Sequence, residues 1–208
     1  MPPTIDIIRH AESRHNVEPH GNTIRDPHLT ANGVSQAKTL RGAFPYMSRV
    51  KRIISSPMRR TVQTALLGFS PILQEGTMEV VLLPELQESS ARPSDMGSPA
   101  PELRAEFGHA VDLGFLFDGW WYKDATETYG KREQAKVAER VRRARVYIRS
   151  VARTLGDDDH LVVVAHRGSI KNLIPGVPKF RNAEMRSCRF VDLFADDDQA
   201  ILAEVIAE

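Results

Sequence analysis

An internal disulfide is excluded in this chain of 208 residues, because it holds a single cysteine, Cys188. A lone thiol of this kind is expected to act as a small buried filler with no redox or catalytic part. No apolar run approaches the roughly 18 residues that a membrane-crossing helix needs, and no charged-then-apolar leader is visible. A reducing, cytoplasmic location is therefore expected. Excess charge of either sign is missing too: 28 Lys and Arg stand against 27 Asp and Glu, a net charge of +1. Neither nucleic acid nor a membrane surface is expected as a partner, so any recognition of charge has to be local. Repeats and low-complexity segments are also lacking.

What is present is a hydrophobic content of 41%, enough for one domain with a sizeable core over residues 1–208. Short β-branched runs at 4–8, 51–55, 78–83 and 161–165 read as strands. Helix-like stretches lie between them. One spans Thr30 to about Gly42, and another starts at Pro57 with Ser56 as its N-cap. A long helix is expected from about Lys131 to Leu155, where Val137, Val141, Ala144, Ile148, Val151 and Leu155 recur at helical steps and arginines fill a face expected to be solvated. A terminal hairpin is expected, with strands at 189–194 and 200–202. The alternation predicts an α/β fold, with a mostly parallel sheet covered on both faces. Residues 89–129 break the pattern with prolines, glycines and the cluster Trp120-Trp121-Tyr122, and read as an insertion over the sheet. Those aromatics either pack the insertion onto the body or line a substrate pocket.

Each strand-like run delivers a chemically useful residue at its carboxyl end, where open α/β sheets collect ligands. The first gives Arg9 and His10, with Asn16 in the same loop; the second gives Ser56 and then Arg59 and Arg60; the third leads to Glu85 and Glu88; the fourth gives His166, Arg167 and Gly168. A helix opening at Ser56-Pro57 would offer free N–H groups to an anion, with Arg60 in its first turn and Arg59 facing solvent. Gly168 opens a second helix to the same end. Arg9, Arg60 and His166 could together spread over the oxygens of a transferring phosphoryl group. His10, with one ring nitrogen unprotonated, is the best nucleophile, and Glu88 is chosen as the acid that protonates the leaving oxygen. His15, His20 and His28 follow no familiar ligand spacing with His10, so no metal is expected, nor any cofactor.

These residues resemble the histidine phosphatase superfamily, also described as phosphoglycerate-mutase-like. Arg9-His10-Ala11-Glu12-Ser13-Arg14-His15-Asn16 is similar to its opening signature, with Ala11 where glycine is commoner. Residues 26–37 resemble its second block and 55–65 its third, which implies that Arg60 rather than Arg59 binds phosphate. Leu86-Gln87-Glu88 resembles the segment carrying the acid, with Leu83-Pro84-Glu85 as a competing register, and residues 162–168 resemble the block with the second pocket histidine.

The resemblance implies a three-layer α/β/α fold with about six mainly parallel strands and a partly helical insertion over the active site. It implies phosphorylation of His10 during turnover without a metal. After Glu88 the chain lacks the Arg- and Tyr-bearing continuation typical of phosphoglycerate mutases, so a phosphomonoesterase acting on a small phosphorylated compound is expected. Asn16, Arg9, Arg60 and Gly168 would contact that substrate. Two alternatives stay open: mutase-type phosphoryl transfer, and a phosphate-binding module without turnover. Arg167, where many relatives carry a small residue, either adds to substrate recognition or faces outward. Oligomeric state is not legible.

Overall fold

The structure is a computed structural model that describes residues 1–123 and 134–205. The first strand, β1 (Thr4–Arg9), is followed by a single turn α1 (Arg14–Val17), helix α2 (Ala31–Ala43), β2 (Val50–Ser55), α3 (Arg59–Gly68), a short α4 (Ser70–Leu73) and β3 (Val80–Leu82). Next come α5 (Ala100–Phe107), β4 (Val111–Asp112), α6 (Gln134–Ala152), β5 (His160–Ala165), α7 (Arg167–Leu173), β6 (Met185–Phe190) and β7 (Leu202–Glu204). The strands form one seven-stranded sheet in the order β4-β3-β2-β5-β1-β6-β7. Its first five strands are mutually parallel, and β6 and β7 close one edge antiparallel.

Alternation along the two central strands sorts side chains to opposite faces of the sheet. Ile5, Ile7, Leu161, Val163 and Ala165 join α6 and α7 in one core; Ile8, Val162 and Val164 join Leu40, Met58, Val62 and Leu103 in the other. Both faces are thus covered, which is why these strands read as continuous apolar runs.

Several expectations need correcting. The third strand covers only Val80–Leu82, because those residues alone oppose Ile53–Ser55 on β2. The terminal hairpin exists but is shifted. Its first strand is Met185–Phe190, set by antiparallel pairing with β1, while Val191 and Phe194 are exposed. The insertion adds a seventh strand, β4, too short to show any period. Within the insertion Trp120 is fully buried against Gly97, where a Cβ would lie 2.2 Å from the indole, so this aromatic belongs to the core. Both the expected helix start at Lys131 and the end of the insertion at Tyr129 lie outside the described residues.

The arginine face of α6 is not simply solvated. Arg140, Arg145 and Arg149 are buried and donate to carbonyl oxygens of other segments: Arg140 to Gln87, Arg145 to Asn172 and Gln199, Arg149 to Asp197. Their guanidinium groups tie α6 to the loop before Glu88, to the end of α7 and to the C-terminal hairpin. Cys188 is a buried filler on β6, its thiol pushed up to about 12, chiefly by burial.

Candidate active site

Register builds the site. Arg9 pairs with Ala165 in neighbouring parallel strands, so the next residue of each, His10 and His166, leaves the sheet side by side. The His10 N–H donates to the Ala165 carbonyl at 3.0 Å, and the two imidazole centroids stand 5.2 Å apart. On the other flank of β5, the Ser56 N–H donates to Val164 O, and the Ser56 hydroxyl lies 2.8 Å from His166 Nε2. His15, on the turn after His10, brings a third imidazole to within 5.5 Å of the His10 ring.

His10 Nδ1 is 2.7 Å from the carbonyl of Ala11. With Nδ1–H donating there, Nε2 keeps its lone pair, the tautomer a nucleophile requires. Burial, followed by the charges of Arg60 and Arg9, holds His10 well below the ordinary histidine value of 6.5, so the ring is neutral at physiological pH. The same causes, burial first and then Arg60, hold His166 well below that value. His15 falls to about 4, through burial and then Arg60.

A polar cavity of about 420 Å³ opens over this cluster, lined among others by Arg9, His10, Asn16, Glu88 and Gly168. Glu88 rather than Glu85 reaches it. Glu85 sits on a turn beside Arg143, 3.6 Å from that guanidinium. The Glu88 carboxylate accepts from the Ser89 N–H at 2.7 Å, the Ser89 hydroxyl at 3.1 Å and the Gly168 N–H at 3.1 Å. Of these partners only the Ser89 hydroxyl can reverse and accept a proton from Glu88. Gly168 therefore seats the Glu88 carboxylate instead of offering its N–H to a ligand. A Cβ there would lie 2.1 Å from Glu88 Oε1, so only glycine permits this approach.

Arg60 is fully buried and does not line the cavity. It donates to the Ser94 carbonyl at 2.7 Å and to Asp95 Oδ1 at 2.9 Å, and Asp95 lines the cavity. A phosphate reaching Arg60 has to compete with that carboxylate. The Nε of Arg60, the Nε of Arg9 and the Nδ1 of His166 are buried without protein partners. Such donors and acceptors are costly to leave unmet, which favours a polar ligand among them.

The helix expected from Pro57 begins instead at Arg59, after the extended Met58. Its leading N–H, that of Arg59, is taken at 3.0 Å by the buried carboxylate of Asp26, so the chain supplies its own anion there. Arg59 is not solvent-facing. Its side chain bridges Asp26 to Glu102, Glu106 and Ser98 of the insertion. Sequence reading weighed His15 only as a metal ligand and passed over Asn22, Ser90, Arg92 and Asp95, all of which line the cavity with His15, and it left Arg167, a further lining residue, undecided. His15 carried a visible signal, five residues after His10; Asp95 carried none. Asn182, which donates to the His10 carbonyl at 3.0 Å, comes from a loop with no motif. Of the aromatic cluster, neither Trp121 nor Tyr122 lines this cavity.

A family model for the histidine phosphatase superfamily (branch 1) matches residues 5–194. The chain belongs to that superfamily. A probable phosphatase of Schizosaccharomyces pombe is 29% identical over 106 residues, covering 50% of this chain and 49% of that protein. The phosphoglycerate mutase-like protein 2 of Arabidopsis thaliana is 34% identical over 102 residues, covering 44% of this chain and 29% of the relative. This superfamily member thus matches half or less of the length of those curated relatives. In fold it is similar to the ecdysone phosphate phosphatase of Bombyx mori, solved with tungstate: TM-score 0.63 at 14% identity, over 90% of this chain and 89% of that one. No helix among the described residues is long and apolar enough to cross a membrane.

Proposed function

We propose that this protein is a metal-independent phosphomonoesterase that works through a phosphohistidine on His10. The observation that carries the reading is the placement of a neutral, tautomer-fixed His10 on the same cavity as Arg9 and Glu88, with His166 beside it. His10 Nε2 attacks phosphorus, the ester P–O bond breaks, and Glu88 gives its proton to the departing alkoxide. Water then attacks the phosphohistidine, Glu88 takes a proton from it, the N–P bond breaks, and inorganic phosphate leaves. Arg9 and Asn16 hold the phosphoryl oxygens, Arg60 joins them as the phosphate displaces Asp95 from its guanidinium, and His166 supports the charge that spreads over them.

Hydrolysis is favoured over mutase transfer because the cavity is polar and open at the described residues, which admits water to the intermediate. A phosphate-binding module without turnover is disfavoured by the seating of Glu88 on that cavity. The test is release of inorganic phosphate from phenyl phosphate. We expect turnover to persist in EDTA and to vanish in His10→Ala. Loss of turnover with the chelator contradicts the mechanism, and movement of label between phosphoglycerate positions without phosphate release establishes the mutase instead.

A further inference from the structure

A second cavity of about 360 Å³ adjoins the first. Arg167 lines both. Phe180, on the wall of the second, accepts a hydrogen bond from Arg9 Nη1 at 2.9 Å, so the two spaces share the partition formed by Arg9, Phe180 and Arg167. The second cavity has an apolar wall of Ile170, Val177, Pro178 and Phe180. Its remaining lining is cationic: Arg167, Lys171 and Lys179, with no carboxylate among the described residues that line it. All three cations are exposed, and none makes a hydrogen bond or ion pair to a described residue.

Resting on the phosphomonoesterase reading, we propose that this second cavity receives the alcohol part of the substrate, and that the substrate is a phosphomonoester whose leaving group joins an apolar body to a second anionic group. The apolar body meets the wall from Ile170 to Phe180, and the anion meets Lys171, Lys179 and Arg167. Proximity of Arg167 to the phosphate site is independently visible, because its charge is second only to burial in lowering Arg9. Together the two spaces fall in the usual range for small-metabolite sites of roughly 300 to 1,000 Å³. The apolar contact that sequence reading sought from Trp120, Trp121 and Tyr122 is supplied here, since none of them lines either cavity.

The experiment compares kcat/KM for phenyl phosphate with that for the same aryl phosphate bearing a propanoate arm para to the ester oxygen. The intact protein is expected to favour the propanoate compound by about tenfold at low salt, the sum of several exposed charge contacts. That preference should shrink towards unity in about 0.5 M potassium chloride, which screens them. The double variant Lys171→Glu, Lys179→Glu should lower the ratio of the two kcat/KM values by about tenfold or more. Equal rates on both compounds in the intact protein overturn the subsite while leaving the phosphomonoesterase reading in place, and so does a ratio that the double variant does not move. Phosphate release from neither compound overturns the phosphomonoesterase reading itself. The salt response of the intact protein decides the matter independently of whether the double variant folds.

Discussion

At the scale of single residues, function depends on protonation states set by burial. His10 is kept neutral by the low-dielectric surroundings and by two guanidinium groups, while its backbone neighbour fixes which nitrogen is free. Glu88 accepts hydrogen bonds from Ser89 and Gly168 and, in the proposed reaction, exchanges a proton with the leaving group and then with water. Replacing Glu88 with Gln keeps the size and the accepting oxygen but removes the exchangeable proton. The expected loss in kcat is about 10² to 10⁴ on alkyl phosphates, with a much smaller loss on aryl phosphates whose leaving group needs no proton. Equal losses on both classes, measured by steady-state phosphate release, would contradict the acid role. Most of these residues were legible in the sequence because each follows an apolar run. Asp95 and Asn182 were not, because their positions depend on loops whose paths are fixed by tertiary contacts such as Arg60 on Asp95 and the His10 carbonyl on Asn182.

At the scale of elements, periodicity gave β1, β2, β3, β5 and α2 to within two residues, and the family blocks gave their order; β4 was missed, and the first strand of the terminal hairpin was placed four residues too late. Periodicity also failed where a polar partner overrode local preference. The start of α3 moved from Pro57 to Arg59, where Asp26, distant in sequence, accepts the leading N–H. Along α6 the arginines were expected to be solvated, yet three of them reach under the C-terminal hairpin and the loop before Glu88, where carbonyl oxygens lie within bonding distance. Arg145 satisfies the Asn172 carbonyl at 2.6 Å and the Gln199 carbonyl at 2.9 Å. Both bonds are half-buried, so Arg145→Ala should destabilise the fold by about 0.5–1.5 kcal/mol for each hydrogen bond lost. Urea denaturation followed by circular dichroism measures this, and a loss below about 0.5 kcal/mol, the range of ordinary surface substitutions, contradicts the docking role.

Across the whole molecule, the sheet register brings residues from the two ends of the chain to one point, and the price of that convergence is a set of buried imidazoles. His10 and His166 titrate well below 6.5 when folded, and His15 at about 4. The unfolded chain binds more protons than the folded one across that interval, so stability is complete above pH 6.5 and is lost as pH falls from there towards the lowered folded values. Urea midpoints should be level above neutrality and begin to decline near 6.5, before the carboxylates titrate. A flat profile down to pH 5 contradicts the buried, neutral state of the cluster. The central claim, that His10 captures phosphorus, is tested most directly by acid-free denaturing quench of the protein during turnover of ³²P-labelled phenyl phosphate, followed by peptide mapping. The account predicts acid-labile, base-stable label on the peptide that contains His10 and none in His10→Ala; label on any other residue, or turnover with no labelled protein at all, would contradict it.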